Sequence, residues 1–124
     1  MLMNMLIVAL GGAVGAVLRY LTGLGALRVF GPGFPWGTFT VNLVGSFLMG
    51  LCFVLLAEKS GQARLLLMTG ALGGFTTFSA FSLDAVTLWQ RGAHLSAASY
   101  TFGTVILGFV GLIAGIAFAK GLTA

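Results

Sequence analysis

The chain has 124 residues, of which 59% are hydrophobic and only 6% are charged, whereas soluble domains carry about 25% charged residues. A chain of this length has too little polar surface to cover so much apolar material in water, so the composition indicates an integral membrane protein. The net charge of +4 comes from scattered Lys and Arg residues that form no basic run, which argues against nucleic acid as a partner and favours membrane lipid.

Four apolar segments are long enough to cross a bilayer, which takes roughly 20 residues of helix. We predict a single domain of four transmembrane helices, at residues 5–25, 37–56, 65–89 and 96–119. The Gly-Pro cluster at 31–35 separates the first two helices because neither residue type sustains a helix. Short polar turns separate the others, so the sequence predicts an all-α, multi-pass membrane protein.

The orientation of such a protein follows from the Lys and Arg residues at the ends of its helices. Each side of the predicted bundle carries three of them: Lys59, Arg64 and Lys120 on the first side, and Arg19, Arg28 and Arg91 on the second. A tie predicts insertion both ways up, for which an antiparallel homodimer is the natural assembly. A weak bias from the amino terminus, or an Arg19 side chain inside the membrane, would instead favour one orientation.

Three pairs of glycines have the spacing that lets transmembrane helices approach closely. They are Gly11 and Gly15, Gly70 and Gly74, and Gly111 and Gly115. The spacing predicts a compact bundle or an oligomer, and it is compatible with any function.

Two stripes of polar residues follow the i, i+4 spacing of a helix face. One stripe consists of Thr38, Asn42 and Ser46 in the second helix. The other consists of Ser96, Tyr100 and Thr104 in the fourth helix, and the next position of this stripe is Gly108. Polar side chains inside a membrane tend to face protein or a water-filled path. The stripes therefore indicate either donors along an ion pathway or hydrogen bonds that hold the helices together.

The middle of the third helix, residues 70–82, is poor helix-forming material. It contains three glycines, two threonines and two serines, so we predict that this helix is broken near its middle. Freed backbone groups are tolerated at that depth only where they face protein, water or an ion, and carbonyl oxygens suit a small cation. Phe75, Phe78 and Phe81 recur every three positions beside the break, a spacing that by itself indicates core packing.

Three motifs on separate helices carry a resemblance that covers essentially the whole chain. They are Gly-Gly-Phe-Thr-Thr-Phe-Ser-Ala-Phe at 73–81, Gly-Thr-Phe-Thr-Val-Asn-Leu-Val-Gly-Ser-Phe at 37–47 and Gly-Gly-Ala-Val-Gly-Ala-Val-Leu-Arg-Tyr at 11–20. The three motifs, in their order along the chain, resemble the CrcB/Fluc family of fluoride channels. The resemblance implies an antiparallel dual-topology homodimer in the inner (plasma) membrane of a microbial cell, with two pores and a central structural sodium ion. It also implies passive export of fluoride, which lowers cytoplasmic fluoride.

The resemblance further implies roles for individual residues. Sodium would be bound by the backbone carbonyls of Gly73 and Thr76, and Arg19 would lie in the vestibule. The implied anion pathway contains Thr38, Asn42, Phe78, Ser79, Phe81, Asp84, Tyr100 and Thr104. Three positions depart from the family pattern and affect the polar track: Ala80, Asp84 and Gly108.

These roles suit a small and strongly hydrated anion. Amide and hydroxyl hydrogens can replace its water, and the ring edges of Phe78 and Phe81 carry the positive end of the aromatic quadrupole. Arg19 either raises the local anion concentration or extends its charge to the interface. Asp84 lies either at the pore mouth or simply at the end of the third helix.

Other classes of function make different demands on the sequence. A small multidrug antiporter needs a carboxylate in its first helix, and this first helix has none. A fluoride/proton exchanger needs a titratable relay, for which Asp84 is the only candidate, and a purely structural subunit needs no polar stripes. We predict that the protein is not an enzyme, because one His, one Cys and two acids form no catalytic constellation.

Overall fold

The computed structural model describes the whole chain, Met1–Ala124, as a bundle of helices. Helix α1 spans Leu2–Phe30, α2 spans Trp36–Leu55, and the last helix, α6, spans His94–Thr123. Together with the third span, Gly61–Gln90, they are four helices long and apolar enough to cross a membrane. The prediction of four such helices is confirmed. Three of them extend past the predicted bounds because those bounds covered only the apolar centre of each helix.

Local signals set the ends of these helices. Gly31 follows α1 with a φ of 77°, and its N–H donates to the Leu27 carbonyl at 2.9 Å; positive φ favours glycine. The Ser60 hydroxyl accepts from the Ala63 N–H at 3.1 Å, so the third span begins at Gly61, inside the segment predicted as a polar turn.

The third span is not one continuous α-helix. It consists of α3 (Gly61–Arg64), a π-helical segment (Leu65–Leu72), a single turn α4 (Gly73–Phe75) and α5 (Phe78–Gln90). Thr76 and Thr77 between them have extended backbones, with φ and ψ of −84° and 160° at Thr76 and −154° and 125° at Thr77. The predicted interruption of this helix is therefore present, whereas the π-helical segment before it was not predicted.

Helix α1 packs closely against the first half of the third span, and glycines permit this contact. A Cβ atom on Gly15 would overlap the Ala71 carbonyl oxygen, and one on Gly74 would lie 2.5 Å from the Gly12 carbonyl oxygen. On the other side, α2 packs along α6, where a Cβ atom on Gly115 would overlap the Phe47 carbonyl oxygen. The predicted glycine pairs thus join helices within one chain.

The surface of the single chain is mostly apolar. Only 14 of the 124 residues are buried, and Val41 and Tyr100 are the largest side chains that are fully buried. Large apolar residues such as Leu10, Phe109 and Ile113 are exposed along the helices. Such a surface is suited to lipid or to another copy of the chain rather than to water.

Candidate functional site

Asn42 of α2 binds the break in the third span through two hydrogen bonds. Its Nδ2 donates to the Thr77 carbonyl at 3.0 Å, and the Thr77 N–H donates to its Oδ1 at 2.8 Å. One side-chain amide therefore replaces both helical partners that the backbone of Thr77 loses at the break. Since a side-chain amide carries two hydrogens, one of them stays free for another acceptor.

Gly45 lies one turn nearer the α2 C-terminus and provides a flat surface beside Asn42. A Cβ atom at Gly45 would overlap Cγ2 of Thr76 and would lie 3.5 Å from Cδ2 of Phe75. The Thr76 hydroxyl donates back to the Leu72 carbonyl at 2.9 Å. The extended residues can therefore pack directly on the α2 backbone.

Arg19 supports the break from the side of α1. Its Nε donates to the Gly74 carbonyl at 3.1 Å, near the middle of the span Gly61–Gln90. The side chain is therefore inside the membrane region, and it uses one of its five N–H donors there. Without Arg19, the Lys and Arg residues flanking the membrane number three on one side and two on the other, which is still close to a tie.

The two predicted sodium ligands have carbonyls that the chain leaves without a backbone partner. Because the Thr77 N–H donates to Asn42, the Gly73 carbonyl loses its α-helical donor, and no backbone N–H donates to the Thr76 carbonyl. Gly73 is also exposed on the surface of the chain. Carbonyl oxygens without donors at this depth require another partner, and their chemistry fits a small cation.

The hydroxyl of Thr77 caps α5. It accepts from the Ala80 N–H at 3.1 Å and lies 3.3 Å from the Ser79 hydroxyl. Ser79, a predicted pathway residue, is exposed in the first turn of α5. The break therefore ends at a hydroxyl pair, with the hydroxyl of Ser79 open to the outside of the chain.

An open groove of about 490 Å³ runs between α2, the break, α5 and α6. It brings together four of the eight predicted pathway residues, Asn42, Phe78, Phe81 and Thr104, with several others, among them Ser46, Thr76, Thr77 and Gly108. The Phe78 and Phe81 ring centroids lie 5.8 Å apart. Phe81 is 8% exposed, whereas Phe78 is 79% exposed on the open side of the groove.

Thr104 is the residue whose buried polar group lacks a hydrogen-bond partner. It is 8% exposed, it lines the groove, and its hydroxyl is buried without a hydrogen-bond partner. Buried hydroxyls almost always have a partner. A partner that enters the groove would satisfy this one.

The remaining predicted pathway residues lie around a second pocket, of about 310 Å³, at the loop between α1 and α2. Thr38 and Asp84 line this pocket, and the fully buried Tyr100 donates its hydroxyl to Asp84 Oδ2 at 3.1 Å. Arg91, at the same pocket, donates from Nη2 to the Gly33 carbonyl at 3.2 Å.

The groove and the second pocket are adjacent. The rings of Phe81 and Tyr100 have centroids 5.3 Å apart, so an aromatic contact joins the two. The structure thus divides the predicted pathway into a groove at the break and a pocket near one end of the bundle. Sequence reasoning missed Gly45, Thr77 and Arg91 as parts of these sites. It also did not assign Ser46 to the pathway, although the place of Ser46 in the polar stripe indicated that it faces the groove.

Comparison with known proteins places the chain in a family. It matches the family model described as CrcB-like protein, Camphor Resistance (CrcB), over residues 6–116. A Cereibacter sphaeroides protein named fluoride-specific ion channel FluC is 58% identical over 121 residues, which cover 98% of each chain. Proteins of the same name from Mesorhizobium japonicum and Agrobacterium fabrum are 51% and 49% identical, over 96% and 98% of this chain.

These matches confirm the family resemblance carried by the three motifs. Relatives of this name are ion channels and not enzymes, as the sequence also predicted. The matched segment includes the break, the groove and the second pocket, all of which lie within residues 6–116. This multi-pass membrane protein belongs to the CrcB family.

Proposed function

We propose that this protein is a fluoride channel in which the ion crosses the membrane passively along the groove between α2, α5 and α6. The name of its relatives supplies the ion. The observation that carries the proposal for this chain is the buried hydroxyl of Thr104, which has no partner and belongs to a residue that lines the groove. Fluoride is an acceptor that both this hydroxyl and the free amide hydrogen of Asn42 can bind.

The groove provides the two kinds of group that such an ion needs. Donors replace the water that fluoride gives up on entry, and here they are hydroxyls and an amide rather than charged groups. The rings of Phe78 and Phe81 offer edges with positive partial charge and otherwise form an apolar wall. A larger and less strongly hydrated anion gains less from these donors and fits the wall less well.

The second pocket is proposed as one mouth of the pathway. Thr38 and the Tyr100 hydroxyl provide polar groups there, and Asp84 holds the Tyr100 hydroxyl by accepting its hydrogen bond. Ser79 provides an exposed hydroxyl near the break. Arg19 keeps four of its N–H donors after it binds Gly74, and these raise the anion concentration in the vestibule.

The membrane potential sets the direction of net flux. It acts on a monovalent ion with about 2.3 kcal/mol per 100 mV, and an inside-negative potential drives an anion outward. A passive channel in the plasma membrane of a microbial cell would therefore export fluoride and lower its cytoplasmic concentration without another energy source.

We further propose that a second, antiparallel copy covers the open face of the chain. Phe78 is 79% exposed and Gly73 is exposed, so a single chain cannot close the groove. A two-fold axis near the break would create two grooves, and hence two pores. It would also bring together the Gly73 and Thr76 carbonyls of both copies, which would hold a structural sodium ion.

Fluoride efflux from proteoliposomes, followed with a fluoride-selective electrode, tests the channel. We expect rapid electrogenic efflux once a potassium ionophore balances the charge, with negligible chloride efflux under the same gradient. Efflux that stops when the proton gradient is abolished would indicate fluoride/proton exchange instead. Absence of fluoride efflux from folded protein would contradict the proposal.

Accessibility of single cysteines tests the dual topology. A cysteine introduced at Glu58 in a Cys52→Ala background should be labelled by an impermeant reagent in comparable fractions on both sides of the membrane, since the Lys and Arg bias is weak. A population with more than about nine-tenths of its chains in one orientation would contradict an antiparallel dimer.

An experimental structure of the dimer tests the sodium site. We expect spherical density on the two-fold axis, coordinated by the carbonyls of Gly73 and Thr76 from both chains. Replacement of sodium by a large organic cation should weaken the dimer, measured as dissociation in detergent. A dimer axis remote from these carbonyls would contradict the assignment.

A further inference from the structure

Ser46 has a hydroxyl that makes no hydrogen bond within its own helix, α2. The hydroxyls of Thr22, Ser82 and Thr123 donate back to the carbonyl four residues earlier, a bond that Ser and Thr can make within a helix. The Ser46 hydroxyl has no hydrogen bond with any protein atom. Since Ser46 lines the groove, this hydroxyl is free to bind something within it.

The helix opposite Ser46 has no side chain at this level. A Cβ atom on Gly108 of α6 would lie 3.6 Å from the Ser46 Oγ, so this oxygen faces bare α6 backbone. Thr104 lies one turn before Gly108, and its buried hydroxyl also lacks a partner. The groove therefore has two unpartnered hydroxyls at successive levels, one from each wall.

The spacing of these levels suits a transfer between donors. Four residues of α-helix rise about 6 Å, so an ion that leaves Thr104 meets the level of Gly108 within one short step. The groove beyond this level is lined by apolar side chains, among them Met49, Phe109 and Leu112. Ser46 is thus the side-chain donor available where the polar stripe of α6 has ended.

We propose that Ser46 is a pathway residue that binds the anion directly as it passes Gly108 and moves between the Thr104 hydroxyl and the apolar part of the groove. This inference rests on the proposed channel function. It assigns the donor at this level to α2 rather than to α6. It also predicts that the hydroxyl can be moved from one wall of the groove to the other.

Fluoride efflux from proteoliposomes at equal amounts of dimer tests the role of Ser46. We expect Ser46→Ala to slow efflux by about tenfold or more, which corresponds to 1.4 kcal/mol in the barrier, and Ser46→Thr to retain most of the flux. A Ser46→Ala/Gly108→Ser double variant should recover most of the loss. A side chain at position 108 fits, because a Cβ atom on Gly108 would lie 3.6 Å from the Ser46 Oγ, which is an ordinary van der Waals distance.

Ser99→Ala is the matched control, since Ser99 is exposed on α6 and does not line the groove. The expected loss is about tenfold, so efflux by Ser46→Ala within about twofold of wild type would overturn the inference. So would a loss that Gly108→Ser fails to restore in protein that elutes as wild type. Absence of efflux from the wild-type protein would instead contradict the channel function itself.

Discussion

Replacement of Asn42 by alanine removes the contact that holds the break against α2. The variant loses the hydrogen bonds at 3.0 and 2.8 Å to the Thr77 backbone. Side-chain hydrogen bonds in membrane proteins contribute about 0.6–1.7 kcal/mol each. Here the cost is higher, because each backbone group left without a partner adds a penalty of about 1–3 kcal/mol. We expect Asn42→Ala to lower the free energy of unfolding by about 2–4 kcal/mol.

The measurement is reversible unfolding in mixed micelles of increasing dodecyl sulfate content, combined with fluoride efflux per folded dimer. Asn42→Asp should be intermediate, since its carboxylate still accepts from the Thr77 N–H but cannot donate to the Thr77 carbonyl. Asn4→Ala is the control. Asn4 is exposed near the start of α1, and surface substitutions usually change stability by less than about 0.5 kcal/mol.

Two results would contradict this role of Asn42. If Asn42→Ala unfolds within about 0.5 kcal/mol of wild type while fluoride efflux is lost, Asn42 acts only as a donor to the ion. The break would then be held by other contacts. If both stability and efflux are unchanged, Asn42 has neither role.

Four further substitutions test the wall of the groove and the support of the break. Phe78→Ile and Phe81→Ile keep apolar bulk but remove the ring edges, and efflux per dimer should fall by about tenfold for each 1.4 kcal/mol added to the barrier; equal efflux would mean that both rings only pack. Gly45→Ala brings a methyl group against Thr76 Cγ2 and should lower the free energy of unfolding by about 1–3 kcal/mol; wild-type stability would show that the break can move aside. Arg19→Lys keeps the charge but loses the Nε donor and should lower stability by about 1–3 kcal/mol, whereas an unchanged unfolding curve would show that the Gly74 contact contributes nothing.

The parts of the fold that could be predicted from the sequence depend on local properties. Apolar length alone predicts four helices. The weak helix formers at 70–82 predict the interruption, although they do not distinguish its exact position at Thr76 and Thr77. The motif at 73–81, taken with those on the first two helices, was sufficient to identify the family.

Contacts between distant segments could not be predicted in this way. The hydrogen bonds from Asn42 to Thr77 and from Arg19 to Gly74 join residues 35 and 55 positions apart. No pattern within either segment encodes them. Likewise, Ser46 could be placed on a polar stripe, but its free hydroxyl becomes apparent only when Gly108 is known to lie opposite.

The hydrogen bonds around the break determine which of its carbonyls remain available. Three carbonyls accept a side-chain hydrogen bond: Gly74 from Arg19, Thr77 from Asn42, and Leu72 from Thr76. The carbonyls of Gly73 and Thr76 receive no such bond, and the break deprives them of backbone donors. Side chains of α1 and α2 therefore do more than stabilise an interrupted helix. The hydrogen bonds from Arg19 and Asn42 occupy the carbonyls of Gly74 and Thr77, and they leave the carbonyls of Gly73 and Thr76 available as the ligands that we propose for a shared cation.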